Sequence, residues 1–137
     1  MHFSRIVLFA VAAMMTAASV GQAADLWRMK EGNPALKSAG ALTFGPDGIL
    51  MVGDAKAATV FAIATGDVKG NAAGVKLNVE GLNGKVAKAL DTAVQDVTIN
   101  DLAANPASGR VYLSVTKGSG SDVAAAIVRV NVDGSVE

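Results

Sequence analysis

The sequence predicts an all-β protein built from short antiparallel strands. Short apolar segments alternate with turns rich in Gly, Pro and Asp, which is the pattern of strands joined by hairpins. A second stretch about 60 residues further along the chain repeats the first hairpin. Only one stretch, 85–92, places its apolar residues at helical spacing. We therefore expect two similar β units and one short helix.

The first unit is centred on a tight turn. Residues 41–44 predict a strand, and the Gly-Pro-Asp-Gly sequence at 45–48 then has turn chemistry, because proline presets φ and glycine supplies a positive φ. The strand predicted at 49–52 is apolar on both faces, so we expect it to be buried on both. A third strand follows at 59–63. The alternating sequence at 74–79 predicts a fourth, half-exposed outer strand.

The second unit repeats this order after the predicted helix and a strand at 94–102. A Pro-containing turn at 103–109 leads into a strand at 110–115, a Gly/Ser-rich loop at 117–125 and a strand at 127–130. Aligning the two turns places Leu102 on Leu42, Leu113 on Val52 and Val128 on Phe61. One strand–hairpin–strand unit therefore occurs twice, as in repetitive β architectures.

The stretches LTFGPDGILMVGD and LAANPASGRVYLSV resemble the inner hairpins of blades in the NHL, YVTN and gluconolactonase-like β-propellers. The resemblance implies β-propeller-like blades at about 40–80 and 97–137. The outermost strand of the second blade is expected to begin at Val136-Glu137. Two blades are fewer than a closed propeller needs, so we expect an N-terminal portion of a longer propeller, or closure by oligomerisation. An ordinary antiparallel sandwich is the alternative.

Residues 1–23 have the features of a secretory signal peptide with a helical core. Arg5 gives a basic start, residues 6–15 are apolar, and Gly21-Gln22-Ala23 has the small-x-small form of a cleavage site. A retained membrane anchor is the alternative, but the apolar run is shorter than the roughly 20 residues of a span. We expect one domain at 24–137, not inserted in a membrane. The absence of cysteine favours a bacterial periplasmic or secreted protein.

Composition excludes several kinds of chemistry. The one histidine, His2, lies in the predicted signal peptide, and the chain has no cysteine. A Ser-His-Asp triad, a Cys-His pair, a conventional zinc site and His-ligated haem are therefore excluded within residues 24–137. The formal net charge of the chain is zero, so a nucleic-acid partner is not expected.

Three residues are candidate metal ligands. In gluconolactonase-like propellers, Asn, Asp and Glu side chains hold a divalent metal, and Asp54, Asn100 and Asp101 look like such positions here. Their oxygen atoms suit Ca²⁺ or Mg²⁺, although Ca²⁺ takes about six to eight oxygens and these residues would supply only part of its shell. The alternative is that Asn100 and Asp101 cap backbone groups at a turn. No other cofactor is expected.

Two functions remain open. The first is an exported module of unassigned specificity that binds a small molecule or a protein through its loops, with self-association through open blade faces. The second is the N-terminal part of a propeller enzyme, such as a divalent-metal-dependent lactonase-like hydrolase. Asp67 is interpreted as a turn former, and Arg110 and Arg129 are expected to face solvent. Because the propeller fold hosts many activities, fold alone does not decide whether the protein is an enzyme.

Overall fold

The computed structural model describes residues 27–137, so the predicted signal peptide at 1–23 lies outside the described residues. Two antiparallel three-stranded sheets form the protein, with strand orders β1-β2-β3 and β4-β5-β6. The strands are β1 Leu42–Phe44, β2 Ile49–Asp54, β3 Thr59–Ala64, β4 Val97–Ala104, β5 Val111–Lys117 and β6 Ala124–Val130. One α-helix, α1 (Leu82–Ala89), lies between the sheets in sequence. No helix among residues 27–137 has the length and apolar character needed to cross a membrane.

The first hairpin turns at Pro46–Gly48, as its sequence predicts. Asp47 (φ 56°, ψ 32°) and Gly48 (φ 68°) both adopt left-handed conformations. Gly45 N–H donates to the Ile49 carbonyl at 2.8 Å and closes the turn. A Cβ at position 48 would lie 2.8 Å from the Asp67 carbonyl oxygen, so this position needs glycine for both its φ and its space.

The two sheets have the same cross-strand register. The equivalent rows of paired residues are Leu42–Val52–Phe61 in the first sheet and Leu102–Leu113–Val128 in the second. These are the residues that the sequence alignment superimposes, so the predicted repeat is present as a repeated pairing pattern. Each sheet thus has two repeat-related faces. We call the face that carries these rows the leucine face and the other the opposite face.

The two sheets stack so that the leucine face of one contacts the opposite face of the other. The opposite face of the second sheet packs against the leucine face of the first. This interface buries Ala39, Leu50, Val52 and Tyr112. The Phe44 and Tyr112 rings meet edge to face, with centroids 5.2 Å apart. On its other side the second sheet contributes Leu113, Val115, Val128 and Val130 to a cluster with Val86 of α1. The second sheet is therefore covered on both faces.

Residues 74–79 form no strand, so that prediction is wrong. Ala72–Gly74 is a 3₁₀ turn, and Leu77 and Val79 pack against the core cluster of the second sheet. The reason is that the chain is fastened to the second unit at Asp67, directly after β3, by hydrogen bonds from Ser108 and Arg110. It is thereby carried away from the edge of β3.

The helix lies three residues earlier than its predicted range of 85–92. Gly81 (φ 63°) provides the left-handed entry, and Leu82 packs against the core of the second sheet. Asp91 has a positive φ of 50°, which ends the helical path. Similarly, β4 begins at Val97 rather than at Val94, because Val94–Asp96 forms a 3₁₀ turn.

The chain returns along β6 after a turn at residues 131–135. Val136 forms an antiparallel bridge with Val130. Arg129 N–H donates to the Glu137 carbonyl at 2.7 Å, and Glu137 N–H donates to the Arg129 carbonyl at 2.9 Å. These residues occupy the outer position beside β6, where the sequence predicts the outermost strand to begin.

Candidate functional site

The three predicted metal-site residues all contact one backbone segment, residues 37–42, which leads into β1. We call this segment the strap. Asp54 lies at the end of β2 in the same sheet, whereas Asn100 and Asp101 lie on β4 of the other sheet. All three residues therefore bond to the strap, Asp54 at its start and Asn100 and Asp101 further along it.

Asp54 is buried, with 1% of its surface exposed. Its Oδ2 accepts from Lys37 N–H at 2.7 Å, and its Oδ1 accepts from Ser38 N–H at 3.0 Å, Ser38 Oγ at 2.6 Å and Ala57 N–H at 3.0 Å. Burial alone would raise the pKa of this carboxyl group, but the hydrogen bonds from Ser38, Ala57 and Lys37 outweigh it and lower the pKa to about 2. Asp54 is thus an ionised cap for the strap and for the β2–β3 turn.

Asn100 and Asp101 join the two sheets at a β-bulge. The register shifts between Ile99 and Asp101, so Asn100 has no directly paired residue on β5. Asn100 Nδ2 donates to the Ala39 carbonyl at 2.8 Å and to Thr116 Oγ1 at 2.9 Å. Asp101 Oδ2 accepts from Leu42 N–H at 2.8 Å. The bonds from Leu42 and Leu102 backbone N–H lower the pKa of Asp101.

Asn100 and Asp101 bond to strap backbone groups from a bulge within β4 and not from a turn, whereas Asp54 caps backbone N–H groups of the strap and of the β2–β3 turn. Asp54 fixes the start of the strap, and Asn100 and Asp101 fix its end across the sheet interface. Among residues 27–137, no three or more His, Cys, Asp or Glu side chains are grouped so as to hold a metal ion. Metal binding by Asp54, Asn100 and Asp101 stays a prediction.

Asp67 is the centre of a second polar junction, which the sequence analysis missed. Its buried side chain accepts from Ser108 Oγ at 2.7 Å, Arg110 Nη1 at 2.6 Å and Tyr112 OH at 3.2 Å. Asn105 Nδ2 also donates to the Asp67 carbonyl at 2.6 Å. Burial acts to raise the pKa of Asp67, yet the bonds from Ser108 and Arg110 lower it overall. Asp67 therefore fastens the first unit to the β4–β5 hairpin of the second.

The expectation that Arg110 and Arg129 face solvent is wrong, because both side chains are only partly exposed and form ion pairs. The Arg110 side chain is about one-third exposed and its guanidinium pairs with Asp67. Arg129 pairs with Glu137. Arg110 Nε is buried without a hydrogen-bond partner among the described residues, and nothing in the structure explains this. No local motif marks the Asp67 junction, because its partners lie 38 to 45 residues further along the chain.

A shallow groove of about 410 Å³ borders the strap on the outer side of the first sheet. Its walls are formed by residues 40–41, 53–55 and 58–60, most of them small or apolar. The groove continues onto the opposite face of the first sheet, where Thr43, Val60 and Ala62 are exposed.

Comparison of the chain with protein-family models, curated proteins and solved structures finds no match. The fold and the two polar junctions define a mostly β protein in which two repeat-related antiparallel sheets are stacked face to face.

Replacing Asp54 with Asn is expected to make stability less dependent on pH in acid. The folded-state pKa of about 2 lies below the ordinary value of 3.8, so the unfolded chain binds a proton first as the pH falls. The stabilisation is complete above about pH 5 and is lost as the pH falls towards 2. Urea unfolding of both proteins between these pH values measures the effect. The exposed Asp91→Asn is the control, and a stability difference that persists unchanged to pH 2 would contradict this account.

Proposed function

We propose that this protein is an exported β-propeller-type repeat protein that acts as a binding module for another protein or a small molecule. One observation carries the proposal: two repeat-related sheets stack with unlike faces together, and the first sheet keeps one such face open. The resemblance of the two hairpins to propeller blades supports the same conclusion. The proposal that the protein is exported rests on residues 1–23 alone.

Equivalent positions on the two opposite faces differ in exposure. Tyr112 and Ser114 of the second sheet are 5% and 0% exposed, because they pack against the first sheet. Their equivalents in the first sheet, Met51 and Gly53, are partly exposed, and Val60, which pairs with Gly53, is 68% exposed. The open face carries no charged residue in its strands. An exposed, uncharged apolar surface of this kind is typical of a site that binds an apolar partner.

The test uses an uncharged, apolar fluorescent dye, such as Nile red, with the folded protein. We expect wild-type protein to bind the dye below its melting temperature and Met51→Lys to lose most of this binding, because the charge would lie on the open face. Val132→Lys, at an exposed turn, is the matched control. Absence of dye binding by the wild type, or equal loss in both variants, would refute the open face as a binding surface.

The divalent-metal hydrolase is the alternative, and a calcium titration separates it from the binding module. Because Asp54 already accepts four hydrogen bonds, we expect calcium chloride to leave the melting temperature unchanged relative to sodium chloride of equal ionic strength. A ligand that binds only the folded state raises the melting temperature by mass action. A calcium-dependent rise that Asp54→Asn or Asp101→Asn abolishes would therefore favour the metal site and the hydrolase.

A further inference from the structure

The outer edge of β3 is open. β3 pairs with β2 on one side, from Thr59 opposite Asp54 to Ala64 opposite Ile49. On its other side, no described residue forms a backbone hydrogen bond with residues 59–64. The equivalent edge in the second sheet is occupied, because Val136 and Glu137 pair with β6. The two repeat units thus differ in one respect: among residues 27–137, the first has no outer strand beside β3.

Tertiary contacts are the cause of this difference. After β3, Thr65 N–H donates to the Gly48 carbonyl, and Asp67 is then held by Ser108 and Arg110 of the second unit. The chain continues towards the core cluster of the second sheet, where Leu77 and Val79 are partly buried. The described chain therefore leaves β3 instead of returning along it. The edge is therefore kept available for a strand from elsewhere.

The sequence of β3 lacks the features that protect natural edge strands. TVFAIA contains no charged residue and no proline, and the strand is regularly paired with β2 along its whole length. Native sheets block open edges with lysine, proline, bulges or a covering segment. Val60, Ala62 and Thr59 are moreover exposed. A long, uncharged edge without such protection is suited to pairing with another strand.

We propose that β3 pairs antiparallel with β3 of a second copy of this chain, which joins two three-stranded sheets into one of six strands. Two identical strands related by a two-fold axis perpendicular to the sheet are self-complementary, so each copy fills the open edge of the other. No charge on either strand opposes this pairing, and the formal net charge of the chain is zero. The dimer rests on the edge of β3, and it does not depend on what the opposite face binds.

Sedimentation velocity over a range of concentrations is the first test. Wild-type protein is expected to form a dimer, and Val60→Lys to weaken it at least tenfold, because a lysine on an edge strand opposes strand pairing. Thr43→Lys places the same charge on the exposed opposite face but on β1, away from the edge, and should leave the dimer intact. A wild-type monomer at all concentrations would overturn the proposal. Equal weakening by both variants would overturn it too, but would support association through the opposite face.

Disulfide cross-linking is the second test, and it exploits the absence of cysteine from the chain. Ala62→Cys lies in the middle of β3, so oxidation should give a covalent dimer in high yield. Val94→Cys, at a comparably exposed position outside both sheets, should give little. Equal yields from the two variants would rule out pairing at the β3 edge.

Discussion

Replacing Asp67 with alanine is expected to lower the free energy of unfolding by about 3 kcal/mol. The side chain of Asp67 is 1% exposed and accepts hydrogen bonds from Ser108, Arg110 and Tyr112. Its removal leaves the buried hydroxyl group of Ser108 and one arm of Arg110 without their partner. The effect is large because these three donors all lie on the β4–β5 side of the interface and no other acceptor replaces the carboxylate.

Urea unfolding at neutral pH measures this effect, with the exposed Asp122→Ala as the control that should change stability by less than about 0.5 kcal/mol. A second measurement uses pH. The folded-state pKa of Asp67 is lowered from 3.8, so its stabilisation is present above that value and is lost as the pH falls through the lowered pKa. The cost of Asp67→Ala should accordingly shrink in strong acid. A cost below about 1 kcal/mol at neutral pH would show that the junction does not hold the two units together.

Replacing Leu113 with alanine is expected to cost about 3 kcal/mol of stability. Leu113 is 1% exposed and lies in the core cluster with Val86, Val115 and Val128. The substitution removes apolar contacts and leaves a cavity that the surrounding β5, β6 and α1 side chains fill only in part. It should also loosen α1, since Val86 is the buried residue through which the helix joins this cluster.

Leu102→Ala is the matched control for Leu113→Ala. Leu102 is the cross-strand partner of Leu113 and lies on the same leucine face, but it is 59% exposed. The same change in chemistry should therefore cost less than about 1 kcal/mol. Thermal or urea unfolding of the two variants side by side gives the comparison. Equal losses of stability in the two variants would contradict the structure, in which α1 and residues 75–79 cover the core cluster that contains Leu113.

The two polar junctions determine how the open surfaces are held in the folded protein. Asp67 fastens the loop after β3 to the second unit, and Asn100 and Asp101 fasten the strap to β4. One junction bonds a residue of the first unit to the second unit, and the other bonds residues of β4 to the strap. Together they fix the stacking of the two sheets. A rigid stack is what allows the opposite face and the β3 edge to be presented as preformed surfaces, because neither has to be ordered when a partner binds.

The sequence by itself determined the features that depend on neighbours along the chain. Pro46, Asp47 and Gly48 specify a turn, and that turn sets which residue of β2 faces which residue of β1. Aligning the two hairpins was therefore enough to place Val52 and Leu113 at equivalent positions in two sheets. The existence of the helix was also predicted, although it begins at Leu82, after Gly81, rather than at residue 85.

Only the tertiary structure decided how the units meet. In the sequence, Asp67 has the features of an ordinary turn residue. Its role depends on the stacking of the sheets, because its partner Arg110 lies 43 residues away in sequence. Asp54, Asn100 and Asp101 converge on the strap for the same reason, since they bond to backbone groups that only the folded interface brings within reach. Residues 74–79 have the alternation of a strand, but Leu77 and Val79 pack against the core of the second sheet and the segment forms no strand. Local turn chemistry sets strand register, whereas long-range contacts select which edges and faces are covered.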